Sequence, residues 1–249
     1  MIQKIEELSM NALPALSTVF LNGWILRFAN GYSKRANSVN PIYPCSTDTE
    51  KNIEICESLF RKNHLATVFK LTECTEAYKI DEILQGKGYV YEAKTNVMLK
   101  NISKFQIKEQ SKKNAVIYKG FKDDWFEAFV HMNQISYPNA VTLHKMLQCI
   151  VPDTYYGYIL EDGKIAAVAL GVAERGYVGV YDVGVHKEKR RRGLGMKIME
   201  DLIYTALQDG CTHSYLQVVD SNEEAKALYE KLGYEKQYSY WYRVKNLGK

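Results

Sequence analysis

The chain has 249 residues, longer than the commonest single domain, so one large or two smaller domains are both allowed. Hydrophobic residues make up 46% and charged residues 25%, the ordinary balance of a soluble globular protein with a sizeable core. A net charge of +4, from 33 basic against 29 acidic residues, is too mild to imply nucleic acid, and the dense basic run is confined to Lys187 through Arg192. Five cysteines (Cys45, Cys56, Cys74, Cys149, Cys211) are odd in number, scattered and without a Cys-x-x-Cys pair, so they read as reduced thiols of a cytoplasmic protein. Cys149 reads as a packing residue on an apolar helix face. The N-terminal stretch carries Lys4, Glu6 and Glu7, and its apolar run is broken by Asn11, Pro14, Asn22 and Arg27, which fits neither a signal peptide nor a membrane span.

In chain order, residues 3–13 predict a short helix ended by Pro14. Two strands are expected at 24–29 and 34–39, joined by Asn30-Gly31, then a helix carrying Ile53, Cys56, Leu59 and Phe60. A strand at 66–71, a helix at 77–84 and a strand at 89–99 follow. Residues 101–114 are polar and lysine-rich and read as a linker. Beyond it, residues 123–135 and 140–150 predict two amphipathic helices. Asp162-Gly163 marks a hairpin and 174–176 another turn, so three antiparallel strands lead to Tyr177–Val185. A helix with Met199, Leu202, Ile203, Ala206 and Leu207 at helical spacing comes next and ends at Gly210. A strand at 214–219, a helix opened by a Ser221/Glu224 capping box and closed at Gly233, and a strand at 237–244 complete the chain.

Between the Val183-Gly184-Val185 strand end and the helix lies Arg190-Arg191-Arg192-Gly193-Leu194-Gly195-Met196. Gly193 and Gly195 let the backbone approach a ligand closely, and the following helix adds unpaired N–H groups and the positive end of its dipole. With three arginines around them, these donors suit a diphosphate better than a carboxylate. Downstream stands Asn222-x-x-Ala225-x-x-Leu228-Tyr229-x-x-Leu232-Gly233-Tyr234.

These two strings, in this order, resemble the coenzyme-A signature and the second cofactor helix of the GNAT superfamily of N-acetyltransferases, and the resemblance covers residues 115–249. It implies a mixed α/β GNAT fold, a mostly antiparallel sheet flanked by helices, and acetyl transfer from acetyl-CoA to a primary amine of a small molecule or peptide. It implies no metal. Val183, Gly184 and Val185 would offer a backbone edge to pantetheine. Arg190, Arg191, Arg192, Gly193, Leu194, Gly195 and Met196 would hold the diphosphate, and Asn222 would contact the cofactor. Tyr229 matches the position of the general acid that protonates the leaving thiolate. For the base the candidates are Asp182, Glu174 or a chain of waters. Acceptor contacts are expected from the helix pair 123–135 and 140–150 with its connector 134–139, together with Tyr238, Tyr240 and Tyr242, which alternate onto one strand face, an alternation that sheet packing also produces. A CoA-binding sensor without turnover is the alternative, and a nucleic-acid binder using Lys187 to Arg192 is a third class. Neither a membrane nor a nucleic-acid partner is expected, and a homodimer is compatible with the sequence.

A shift of 145 positions lays Gly88-Tyr89 on Gly233-Tyr234, Ile83 on Leu228 and Ile80 on Ala225. The first half, residues 1–105, therefore reads as a worn copy of the second, 115–249. Its functional positions are lost: Leu84 falls on Tyr229, Ala77 on Asn222, and Asp48 and Glu50 on Gly193 and Gly195. One active site per chain is expected, in the second half.

Overall fold

The computed structural model describes residues 1–45, 48–104 and 115–247, so most of the expected linker lies outside the described residues. Two compact units emerge. Unit 1 comprises Met1–Asn96, Val219–Ser221 and Tyr238–Lys249, and unit 2 comprises Val97–Val218 and Asn222–Gln237.

Unit 1 begins with helix α1 (Ile2–Ala12), which buries Ile5, Leu8 and Ala12 and stops short of Pro14. Strands β1 (Ser17–Leu21) and β2 (Trp24–Phe28) form an antiparallel hairpin whose turn, Asn22-Gly23, takes positive φ at both residues. The sequence reading missed β1 and this hairpin, while the turn it expected after the second strand is present at Asn30-Gly31, both at positive φ with Tyr32 N donating to Ala29 O at 3.0 Å. The expected strand at 34–39 is a 3-10 turn (Lys34–Ala36) followed by a two-residue strand β3 (Val39–Asn40). Here the Asn37 side chain takes over the hydrogen bonding, accepting from Ala29 N (2.7 Å) and Gly31 N (2.9 Å). Helix α2 (Thr49–Lys62), strand β4 (Thr67–Thr72) and helix α3 (Thr75–Gly86) follow. β3 runs antiparallel to β2 and parallel to β4, and β4 pairs antiparallel with the C-terminal strand β11 (Glu235–Lys245) from Tyr240 to Lys245.

Strand β5 (Val90–Asn101) carries the chain into unit 2, where β6 (Val116–Lys119), α4 (Asp123–Met132), α5 (Tyr137–Gln148), β7 (Asp153–Glu161), β8 (Lys164–Glu174), β9 (Tyr177–Val185), α6 (Leu194–Gln208), β10 (His213–Val219) and α7 (Glu223–Lys231) succeed one another. Four antiparallel strands, β6 to β9, lead to the glycine turn rather than three; the short β6 lacked the alternation needed to be seen beside a polar segment. Strand order in this unit is β5-β10-β9-β8-β7-β6, with β10 parallel to β9. Helix α6 lays Ile198, Met199, Leu202, Ile203 and Ala206 against Val178, Val180 and Ala169. Each large apolar side chain so buried contributes about 1.5–3 kcal/mol, which holds the start of α6 against the end of β9. Cys149 is exposed at the C-cap of α5, not packed on a helix face, because the helix starts earlier than expected, at Tyr137-Pro138, and ends at Gln148.

The repeat survives in detail. Under the same shift, α2 falls on α6, β4 on β10 and α3 on α7. Gly88 (φ 81°) and Gly233 (φ 83°) end their helices alike, and Tyr89 N donates to Leu84 O at 3.0 Å as Tyr234 N does to Tyr229 O at 3.0 Å. In both units an antiparallel pair precedes a parallel one, β2-β3-β4 and β8-β9-β10.

Candidate active site

The ladder between β9 and β10 ends at Val180 and Leu216, although β9 continues to Val185 and β10 to Val219. Tyr181 and Tyr215 stand beside the last pair, with Tyr181 Oη donating to Tyr215 Oη at 2.9 Å. Gly179 makes room for the two rings, since a Cβ there would lie 2.6 Å from both. On the other side of β9, Tyr181 pairs with Leu170 and Gly184 with Val168, so Asp182 and Val183 together face Ala169. This is a β-bulge, and Asp182 takes φ 51° to make it. The consequence is a fork in the sheet, with Val183–Val185 presenting backbone past the end of the parallel ladder.

At the end of β9 the chain turns through Lys187–Lys189 and reaches Gly193, the N-cap of α6, at φ 78°. That conformation is costly for residues with a Cβ, and no heavy atom stands within 4 Å of where one would project. No side chain caps α6, so its first-turn N–H groups face outward with the positive end of the helix dipole. The basic residues divide into two sets. Lys189 binds Asp162 (2.8 Å) and Arg192 binds Glu161 (2.6 Å), both in the β7–β8 turn. Arg190, whose Nε donates to Val185 O at 3.3 Å, and Arg191 face a cavity instead.

That cavity, of about 420 Å³, gathers Val183, Gly184, Val185, Arg190, Arg191, Gly193, Leu194, Gly195, Met196, Asn222 and Tyr229, eleven of the fourteen residues the sequence offered for cofactor binding and proton transfer. Arg192, Asp182 and Glu174 are not among its lining residues. Helix α7 closes one side with Ala225 and Leu228, and Leu228 Cδ2 is 3.5 Å from where a Cβ on Gly195 would sit. Asn222, not Ser221, is the N-cap of α7: its Oδ1 accepts from Ala225 N at 3.1 Å, a bond that Ser221, one residue further out, does not make. Burial raises the Tyr229 phenol above its ordinary value, so the hydroxyl keeps its proton through neutral and mildly alkaline pH. Its ring packs edge-on against Tyr234, at 6.2 Å between centroids.

Glu224 from α7, and Met132 and Asn133 from the last turn of α4, also line the cavity; the sequence pointed to the helix pair that carries Met132 and Asn133 but not to these residues. No local pattern marks the C-terminal turn of an amphipathic helix as a wall of a distant site. Tyr238, Tyr240 and Tyr242, expected as acceptor contacts, are buried in unit 1 and absent from this wall. Tyr238 Oη donates to Glu6 at 2.8 Å, while Tyr240 lies beneath Lys70, 4.0 Å from ammonium to ring centroid. Their alternation is core packing around the buried Glu6–Lys70 ion pair. Among the described residues no group of His, Cys, Asp or Glu is arranged to hold a metal, and no helix is long and apolar enough to cross a membrane.

Comparison with known proteins places the chain among acetyltransferases. The family described as "Probable histone acetyltransferase Rv0428c C-terminal" matches residues 1–243. The chain belongs to this family. Over nearly its whole length, 98% of each chain, it is 23% identical to the "Uncharacterized N-acetyltransferase YobR" of Bacillus subtilis. Among solved structures it resembles a GCN5-related N-acetyltransferase from Kribbella flavida, with TM-score 0.74, 18% identity and coverage of 99% and 96% of the two chains. It also resembles a tandem GNAT protein from the clavulanic acid biosynthesis pathway, with TM-score 0.68, 11% identity and coverage of 98% and 88%. The chain is thus a tandem member of the GNAT superfamily, with the mixed α/β, mostly antiparallel architecture expected from its sequence.

Proposed function

We propose that this acetyltransferase uses acetyl-CoA and acetylates a primary amine of a small molecule or peptide by direct attack in a ternary complex. The observation that carries the reading is the uncapped start of α6, set at one end of a cavity whose walls include an open strand edge and a protonated phenol. The donor set fits the cosubstrate: a helix N-terminus with adjacent guanidinium groups is suited to a diphosphate, and unpaired strand backbone is suited to the amides of a pantetheine arm. Acetyl-CoA, when bound, supplies an acyl group already activated as a thioester.

The residues of the chain divide the remaining work. Main-chain N–H groups of Gly193 to Met196 hold the diphosphate, with Arg190 and Arg191 beside them and Arg192 adding a weaker field from the rim. Val183, Gly184 and Val185 align the arm. An alkylammonium group keeps its proton up to a pH of about 10.4, so a base must act before the nitrogen can attack. Asp182 is not among the residues lining the cavity, so that proton leaves through a chain of waters rather than directly to a carboxylate. As the nitrogen–carbon bond forms, charge collects on the carbonyl oxygen, where the Val183 N–H meets it. The carbon–sulfur bond breaks, Tyr229 passes its proton to the departing sulfur, and the second proton shed by the acylated nitrogen restores the phenol. Asn222 fixes the start of α7 and so the placement of Tyr229.

Calorimetric titration with acetyl-CoA followed by CoA-release assays over a panel of primary amines tests this reading. Micromolar binding with amine-dependent release is expected. Binding without release from any amine favours a CoA-responsive sensor, and no binding overturns both.

A further inference from the structure

Tyr156 of β7 is fully buried, and among the described residues no protein group forms a hydrogen bond with its Oη. A buried hydroxyl without a partner is costly, and native structures almost always give it one, from protein or from water. The ring is held edge-on by Trp125 at 4.9 Å and by Phe121 at 5.7 Å, which fixes where the hydroxyl points.

The surroundings of that hydroxyl follow from the register. Tyr156 pairs with Leu170 and Leu170 with Tyr181, which sets three side chains in one row on the face of the sheet that Trp125 of α4 covers. The next residue along β9 is Asp182, at φ 51° in the bulge. A bulge re-aims a side chain that regular alternation would send to the opposite face. Burial, and after it the charge of the Asp182 carboxylate, push the Tyr156 phenol up from its ordinary value, so the hydroxyl keeps its proton as a donor. No direct bond joins the two groups, and a water that accepts from the phenol and donates to the carboxylate satisfies both. Other titratable groups of the neighbouring elements are engaged with one another: Tyr118 with Tyr158 (3.3 Å), Tyr181 with Tyr215 (2.9 Å) and His144 with Asp123 (3.7 Å).

We propose that Asp182, with Tyr156 holding a bridging water against it, receives the proton of the acceptor amine at the far end of the water chain. Asp182 directly precedes Val183 of the cavity wall, so a carboxylate stands one residue behind that wall. The inference rests on the proposed function and deepens it. The ammonium gives one proton to the nearest water, each water passes one on, and the Asp182 carboxylate becomes a carboxylic acid, which returns the proton to solvent before the next turnover. Tyr156 keeps its own proton throughout and is a positioning residue.

The test is the pH dependence of kcat/KM, read as CoA release with the fastest acceptor of the amine panel, for the wild type, Asp182→Asn, Tyr156→Phe and, as a control on the same sheet face, Tyr158→Phe. Asparagine tolerates a left-handed backbone, so Asp182→Asn keeps the bulge. At pH 7 it should lower kcat/KM about 10²- to 10⁴-fold with acetyl-CoA affinity unchanged. Where the wild type is level, its rate should climb about tenfold per pH unit toward the amine's own pKa of about 10.4, because only amine that is already deprotonated reacts. Tyr156→Phe removes a donor that favours the carboxylate, so the acid limb should move up by about half to one pH unit, while Tyr158→Phe leaves it in place. A wild-type profile in Asp182→Asn, or an unmoved acid limb in Tyr156→Phe, overturns the inference while amine-dependent release keeps the proposed function standing. No release from any amine in the wild type removes both.

Discussion

Helices α2 and α6 occupy the same place in the two copies of the repeat, yet their first turns have opposite characters. At α6 the N-cap is Gly193 and no side chain satisfies the N–H groups. At α2 the N-cap is Asp48, whose Oδ1 accepts from Glu50 N (2.9 Å) and Lys51 N (3.3 Å). The donors that could take a phosphate are already engaged by a carboxylate, whose charge repels an anion. The strand end before α2 is also occupied. Asn52 donates to Cys45 Sγ at 3.1 Å and accepts from Asn22 at 2.9 Å, while Gly23 sits so near Pro44 that a Cβ would be 2.6 Å from its carbonyl oxygen. At the position of Tyr229 stands Leu84, fully buried and with no proton to give. One framework thus leaves a cavity open in one copy and fills the same place in the other, according to a few side chains at a helix start and a strand end.

If that contrast is correct, the largest effect should come from Tyr229→Phe, which gives unit 2 the inert character of unit 1 at this point. Turnover should fall about 10²- to 10⁴-fold while acetyl-CoA affinity changes little, as separate kinetic and calorimetric measurements would show. An unchanged rate demotes Tyr229 to packing. Gly193→Asp transplants the α2 cap onto α6, and at φ 78° it also strains the backbone. Acetyl-CoA affinity should drop by about 100-fold or more with thermal stability largely kept, since N-cap carboxylates favour helix starts.

Unit 1 should answer to stability rather than to ligand. Burial works against ionisation of Asp81, yet hydrogen bonds from Arg243 and Trp241 outweigh it and hold the carboxyl below its usual range. Asp81→Asn should destabilise the fold by about 3 kcal/mol in denaturant unfolding. Because the folded value is depressed, the contribution of Asp81 is in force above the ordinary carboxyl value of about 3.9 and fades as pH falls through the lowered one. Loss of stability confined to alkaline pH would contradict the assignment. The smallest effect belongs to Asp48→Gly, which should cost only a few tenths of a kcal/mol and create no acetyl-CoA site in unit 1, because the fork there stays filled.

Much of the site was legible because its parts are local. The Gly193-x-Gly195 turn, the strand end before it and the spacing from Asn222 to Tyr229 are set by residues a few positions apart, as are the Asp162-Gly163 hairpin and the ending of α6 at Gly210. Less was legible where a long-range partner decided. Tyr238, Tyr240 and Tyr242 show the alternation of any half-buried strand, and nothing near them announces that Glu6, more than 230 residues away, waits for the Tyr238 hydroxyl. The basic run read as one unit, and only the acidic turn at Glu161-Asp162 separates Arg192 and Lys189 from Arg190 and Arg191.

By itself, then, the sequence determined the family, the tandem repeat and the glycine turn before α6, because backbone freedom, helix capping and hydrophobic period are written in short windows. Tertiary structure alone decided which arginines face the cavity, which residue caps α7, how far the β9–β10 ladder runs before it ends, and that Met132 and Asn133 join the cavity wall. Those outcomes depend on contacts between segments distant in the chain, where geometry and desolvation select among partners that composition leaves equivalent.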